Sequence, residues 1–267
     1  MTKMPLTSIT SGIGIEVLPD IYCLPVQIVN ICFIGNPESN EFVLIDGGMP
    51  DSEEMIISEA EKRFGPIAAC KGILLTHGHF DHIGALRQLS EKWNCPIYAH
   101  KQEEPYLTGK TDYPPPNTEI EGLVAKMSPF FPRHSIDISD RLQILPDDGS
   151  VPFLPEWNFI HTPGHTPGHV SFYRERDRVL IVGDAFVNVE QESLYEVLTQ
   201  KEEIHGPPAY FTMDWQAASS SVKELAKLDP YVAITGHGLP LTGSKLQEGL
   251  HLLANKFDQT EIPDNRK

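Results

Sequence analysis

Strand-like runs of apolar residues occupy 13–26 (IGIEVLPDIYCLPV), 28–35 (IVNICFIG) and 41–48 (EFVLIDGG), separated by turn residues such as NPESN. This pattern predicts strands joined as an antiparallel meander. After Asp51 the period changes, with Met55, Ile56, Ala60 and Phe64 recurring at helical spacing behind an acidic first turn, which predicts an amphipathic helix. The chain then offers an apolar run, KGILLT, a histidine-rich loop, a helical pattern over about 81–93 with Leu86 and Leu89 inward, and a strand in CPIYAH. Those elements make a βαβ unit whose polar loop follows the carboxyl end of a strand, where open α/β sheets place their sites.

Residues 101–140 lose the regularity. YPPP (113–116) and SPFFPRH (128–134) surround a short helical stretch, EIEGLVAKM, and read as an insertion over the strand ends. The strand pattern resumes in RLQIL, EWNFIHTPG, HVSFYRE and RVLIVGDAF. Helical patterns in DWQAASSSVKELAKL and GSKLQEGLHLLANKF flank a last strand, YVAIT. No repeat of solenoid length is present, although strands followed by a helix occur in both halves. The expected architecture is α/β, a single domain over 1–267 with insertions at about 101–140 and 188–215 that serve as a lid or an interface, the latter in a homodimer.

Composition narrows the function classes. The 37 acidic residues against 21 Lys and Arg give a net charge of −16, which repels a phosphate backbone in the absence of a basic patch and argues against a nucleic-acid partner. Cys23, Cys32, Cys70 and Cys95 form no CxxC pair, so they are expected as free thiols in a reducing cytoplasm. The start MTKMPLTSIT has no charged segment followed by an apolar stretch, and no apolar run of about 18 residues occurs, so neither export nor membrane insertion is expected.

The stretch THGHFDHIG concentrates His77, His79, Asp81 and His82 in one loop. Neutral imidazoles with a carboxylate suit zinc or another first-row divalent ion. Four such near neighbours cannot all reach one centre in tetrahedral geometry, so further ligands must come from elsewhere. HTPGHTPGHV supplies His161, His165 and His169, and Pro163 and Pro167 rule out a regular helix there. Asp184 ends the buried run IVGDAF, where a carboxylate is costly unless paired or metal-bound. His237 lies just past a strand between glycines. Singly each is an ordinary strand-end residue; together they point to two adjacent metals.

With these motifs in view, THxHxDHxG, TPGHTPGH, GDA and GHG in order, the chain resembles the metallo-β-lactamase fold superfamily from IDGG to GHG. The resemblance implies a four-layer αββα sandwich. It implies that His77, His79 and His165 hold one metal, that Asp81, His82 and His237 hold a second, and that Asp184 bridges. Asp46 resembles the family's aspartate that orients a ligand histidine. His161 and His169 match no ligand position and are expected to be structural; His100, His134 and His205 are unassigned.

The expected chemistry is hydrolysis by a metal-bridging hydroxide, with two divalent ions, zinc first and manganese or iron as alternatives, and Asp81 passing a proton to the leaving group. Departures from family branches narrow the substrate. The resembling β-lactamases lack the carboxylate that Asp184 supplies, flavodiiron reductases carry glutamate where His79 stands, and the C-terminal basic residues of glyoxalase II have no counterpart. N-acyl homoserine lactonases carry a tyrosine shortly after the bridging aspartate, where this chain has Ala185, Phe186 and Val187. Tyr210 in the second insertion is expected as a packed surface residue, and the proline- and aromatic-rich segments as an apolar pocket for a small ester, lactone or thioester. The alternatives are a mononuclear iron persulfide dioxygenase and a non-catalytic metal-binding scaffold.

Overall fold

The structure is a computed structural model, and it describes residues 7–120, 123–189 and 202–263. Part of the expected insertion at 188–215 therefore lies outside the described residues. The first half forms one sheet of seven strands in chain order: β1 (Ile15–Leu18), β2 (Ile21–Val26), β3 (Val29–Ile34), β4 (Glu41–Ile45), β5 (Ala69–Leu74), β6 (Ile97–Ala99) and β7 (Leu142–Ile144). The second half forms a five-stranded sheet, ordered β12 (Leu241–Thr242), β11 (Val232–Thr235), β10 (Val179–Gly183), β9 (Val170–Arg174) and β8 (Trp157–His161).

Period-two alternation decides which layer each residue enters. On β4, Phe42 and Leu44 pack into a cluster with Ile56, Ala60 and Phe64 of α1 (Glu53–Phe64) and with Leu86 and Leu89 of α3 (Leu86–Trp93). The intervening Val43 and Ile45 point the other way, into a second cluster with Phe172, Val179, Ile181, Val232 and Ile234 of the opposite sheet. On β10 the alternation repeats, because Leu180 and Val182 meet α4 (Trp215–Lys227) and α5 (Gly243–Thr260) through Val222, Leu225, Leu246, Leu250 and Phe257. Helix, sheet, sheet and helix thus stack as an αββα sandwich, with three apolar interlayers.

Several sequence expectations need correction. The run 13–26 is a hairpin of β1 and β2, turned at Pro19 and Asp20. Met55 faces outward, 40% exposed. The helix expected over 81–93 is two pieces, α2 (Phe80–Ile83) and α3, because the Gly84 and Ala85 amides donate to the carbonyls of Gly48 and Gly47 at 2.7 and 3.2 Å instead of continuing the ladder. Tyr210 is not a surface residue; it is 6% exposed and its ring meets Phe131 and Phe211. All four cysteines are buried and free, although Cys23 and Cys32 stand directly opposite on β2 and β3.

Candidate metal centre

The chemistry-bearing residues gather where strands end. β5 runs into the loop of His77 and His79 and then α2, which carries Asp81 and His82; β8 leads to His165, β10 to Asp184 and β11 to His237. The structure brings these seven residues together as three overlapping triads: His77, His79 and His165; His77, His82 and Asp184; and Asp81, His82 and His237. Within each triad the donor atoms lie within 4.8 Å of one another, and all seven side chains are buried. Asp184 stands between the groups, with Oδ2 3.5 Å from His165 Nε2 and 3.3 Å from His237 Nε2, and Oδ1 3.6 Å from His82 Nε2.

Hydrogen bonds on the outer ring nitrogens fix which inner nitrogen is free for a cation. The Thr76 hydroxyl donates to Asp46 Oδ2 (2.8 Å), so at 3.1 Å it accepts from His77 Nδ1. The Thr212 hydroxyl donates to the Pro208 carbonyl (2.8 Å), so it accepts from His165 Nδ1 at 3.3 Å. His82 Nδ1 donates to Asp46 Oδ2 and His237 Nδ1 to the Ile28 carbonyl, each at 2.8 Å. Nε2 of all four rings is therefore turned inward, and His79 completes the set with Nδ1, 3.1 Å from His77 Nε2 and 2.8 Å from His165 Nε2. Three ring nitrogens this close cannot satisfy one another with protons alone, because His77 Nε2 and His165 Nε2 both present lone pairs.

Asp46 is held for this task at a backbone φ of +63°, uncommon for a residue with a side chain. Its Oδ1 accepts the Thr76 amide at 2.8 Å while Oδ2 serves Thr76 and His82.

The electrostatics suit cations. Burial, reinforced by neighbouring imidazoles, holds His77 and His79 well below the ordinary histidine value, and burial holds His165 down to about 4. Burial also lowers His82 and His237, but the carboxylates together outweigh it and raise both, Asp184, Asp46 and Asp81 at His82 and Asp184 and Asp81 at His237. Burial would raise Asp184, yet His237 and His82 hold it well below the carboxylate range. The carboxylates thus favour positive charge beside them, which divalent ions would supply in place of protons. His82 Nε2 and Asp184 Oδ1 are buried without a hydrogen-bond partner, which a bound cation would supply. The residues fit two metals.

The remaining histidines separate from the site. His169 touches it indirectly: its Nε2 accepts the Asp184 amide at 2.8 Å, and its Nδ1 bonds the Thr162 hydroxyl at 2.8 Å. His161 is exposed, bonds the Pro167 carbonyl and stacks on His100 at 4.2 Å. His134 is on the surface against Asp112, and His205 pairs its backbone with Val187. No local motif in the sequence marks Thr212 or Glu103. Glu103 is 0% exposed, and its partners lie between 10 and 65 residues away, a separation no local pattern encodes.

A cavity of about 230 Å³ opens over His79. Tyr113, Pro114 and Pro115 form one wall and Tyr210, Phe211 and Met213 another, with no Lys, Arg, Asp or Glu among its described lining residues. The Asn117 amide donates to the Tyr210 carbonyl at 2.8 Å and ties the walls together.

Comparison with known proteins agrees with this geometry. The Metallo-beta-lactamase superfamily matches residues 24–237, and the chain belongs to that superfamily. It is 55% identical over 256 residues to the probable metallo-hydrolase YflN of Bacillus subtilis (strain 168), covering 95% of this chain and 97% of that one. It is 28% identical over 158 residues to the hydroxyacylglutathione hydrolase GloC of Haemophilus influenzae, covering 58% and 65%. Among solved structures, the BLEG-1 B3 metallo-beta-lactamase superposes with a TM-score of 0.58 at 25% identity, over 88% of this chain and 94% of that one. Family membership and overlapping His/Asp triads together define a metallo-hydrolase whose site is laid out for two metals.

Proposed function

We propose that the protein hydrolyses a small, uncharged ester, lactone or thioester. The observation that carries this reading is the cavity over His79, too small for a polymer and with no charged side chain among its described lining residues, which favours a neutral acyl or aryl group. His77, His79 and His165 would hold one ion, Asp81, His82 and His237 the other, with Asp184 between them, and an imidazole-rich set of this kind suits zinc, with manganese or iron as alternatives. Two such ions would lower the pKa of a shared water and polarise the substrate's acyl oxygen.

The chain's own residues orient and exclude. Tyr113, Phe211 and the prolines shield the reacting group from bulk water and position it against His79. Asp81 is the proposed proton carrier to the leaving group, being the most solvent-reachable of the seven at 8% exposed, with Oδ2 3.4 Å from His237 Nε2.

The test is elemental mass spectrometry of purified protein followed by a panel of aryl esters, lactones and thioesters, with hydroxyacylglutathione added because GloC is a relative. Two ions per chain with turnover of uncharged substrates are expected. A single iron per chain with no ester turnover would replace this reading with the dioxygenase. A folded Asp184→Ala variant that loses one metal and keeps full activity would sink the two-metal mechanism.

A further inference from the structure

Glu103 lies just past β6, fully buried, and hydrolysis gives it no task. Its two oxygens face different parts of the chain. Oε2 accepts the Gly78 amide at 3.0 Å and the Tyr113 hydroxyl. Oε1 accepts the Thr166 hydroxyl at 2.7 Å and the Gly168 amide at 2.8 Å. Gly78 sits between His77 and His79, and Thr166 follows His165. One carboxylate is therefore a single residue away from every member of the first triad, although those members come from two separate loops.

We propose that Glu103 is a positioning residue that clamps the 77–79 loop to the 163–168 turn and so sets the geometry of the first metal triad. The proposal rests on reading that triad as metal-binding. Four donors converge on one buried carboxylate, the arrangement that offsets its desolvation and makes its bonds strong. The glycines of both loops make room for it. A Cβ on Gly78 would fall 2.6 Å from Tyr113 Oη and 3.1 Å from Glu103 Oε2, and one on Gly168 would fall 2.7 Å from Glu103 Cγ. The outer nitrogens of His82 and His237 are held instead by Asp46 and the Ile28 carbonyl, so the triad of Asp81, His82 and His237 has no hydrogen bond to the clamp.

Cobalt(II) titration followed by calorimetry and visible absorption tests this in wild type, Glu103→Ala and Glu103→Gln, with circular dichroism as the check on folding. The same comparison is made in His237→Ala and His165→Ala backgrounds. In Glu103→Ala one of two cobalt sites is expected to weaken by about 10- to 100-fold while the other holds. That weakening should persist in the His237→Ala background and be absent in the His165→Ala background. Glu103→Gln, which keeps the volume but turns an NH2 toward one pair of donors, covers the case in which Glu103→Ala does not fold, and should weaken the same site. Unchanged constants, or equal weakening of both sites in the folded variant, would overturn the clamp while leaving the dinuclear reading intact. Wild-type protein that takes up no cobalt would overturn both.

Discussion

Three of the inward-facing imidazole nitrogens depend on a side chain behind the ring: Thr76 for His77, Thr212 for His165, Asp46 for His82. Asp46 serves two rings at once, directly and through Thr76. Asp46→Ala is accordingly expected to lower metal affinity by about 10- to 100-fold, read by calorimetry, and an unchanged affinity would remove it from the site. Phe211, whose ring centroid is 4.9 Å from that of His79, lines the cavity proposed to take the substrate. Phe211→Ala should raise KM for aryl esters about tenfold, equivalent to about 1.4 kcal/mol of lost apolar contact, with kcat nearly constant. The proposed ligands could be picked out from sequence because they occur in short motifs at strand ends. Thr212 and Glu103 could not, since Thr212 meets His165 across 47 residues and Glu103 meets Thr166 across 63.

Among the elements, the meander, the Ile56, Ala60 and Phe64 stripe of α1 and the two C-terminal helices are legible in the pattern, because strands buried on both faces read as continuous apolar runs and helices buried on one face read as stripes. The break between α2 and α3 was hidden by a continuous helical pattern; its cause is a tertiary contact, the approach of residues 47–50 to Gly84. A Cβ there would lie 2.1 Å from the Pro50 nitrogen. Gly84→Ala is expected to destabilise the fold by about 1–3 kcal/mol through overpacking against backbone, visible as a lower urea midpoint. At the start of α4 the Asp214 carboxylate accepts the Gln216 and Ala217 amides, both at 3.0 Å. Its replacement by alanine should cost about 1 kcal/mol with no change in metal content, since the carboxylate caps the helix and bonds no member of the triads.

For the whole molecule, one ion-pair group joins the edges of the two halves. Arg174 of β9 is 1% exposed, lies over the Trp157 ring at 5.0 Å and donates to Asp177 and to Asp20 in the β1–β2 turn. Burial alone would raise the Asp20 pKa, but Arg174, with Arg176 adding to it, lowers it below the usual aspartate value. The stability Asp20 contributes is present above the unfolded carboxylate pKa and lost as pH falls through the lowered folded value. Asp20→Asn should cost about 1 kcal/mol near pH 7, discounted for partial exposure, and the gap to wild type should close as pH falls through the lowered folded value. A gap that stays constant with pH would mean the charge is not what matters.

The division of the proposed ligands between the sheets has a consequence for assembly. Each triad takes two members from the chain's first half and one from its second: His165, Asp184 or His237. The amino-terminal half, first off the ribosome, therefore carries four of the seven donors without a complete triad, so tight uptake of an ion must wait until the second sheet has docked. Occupancy then becomes a report that both halves have met, and free metal concentration becomes a term in the folding equilibrium. At a thousandfold excess over Kd each ion would add about 4 kcal/mol, so a chelator should lower the melting temperature by on the order of 10 °C. The centre is in that sense a latch closed by supply from outside, and a cell short of the metal would lose folded protein along with turnover.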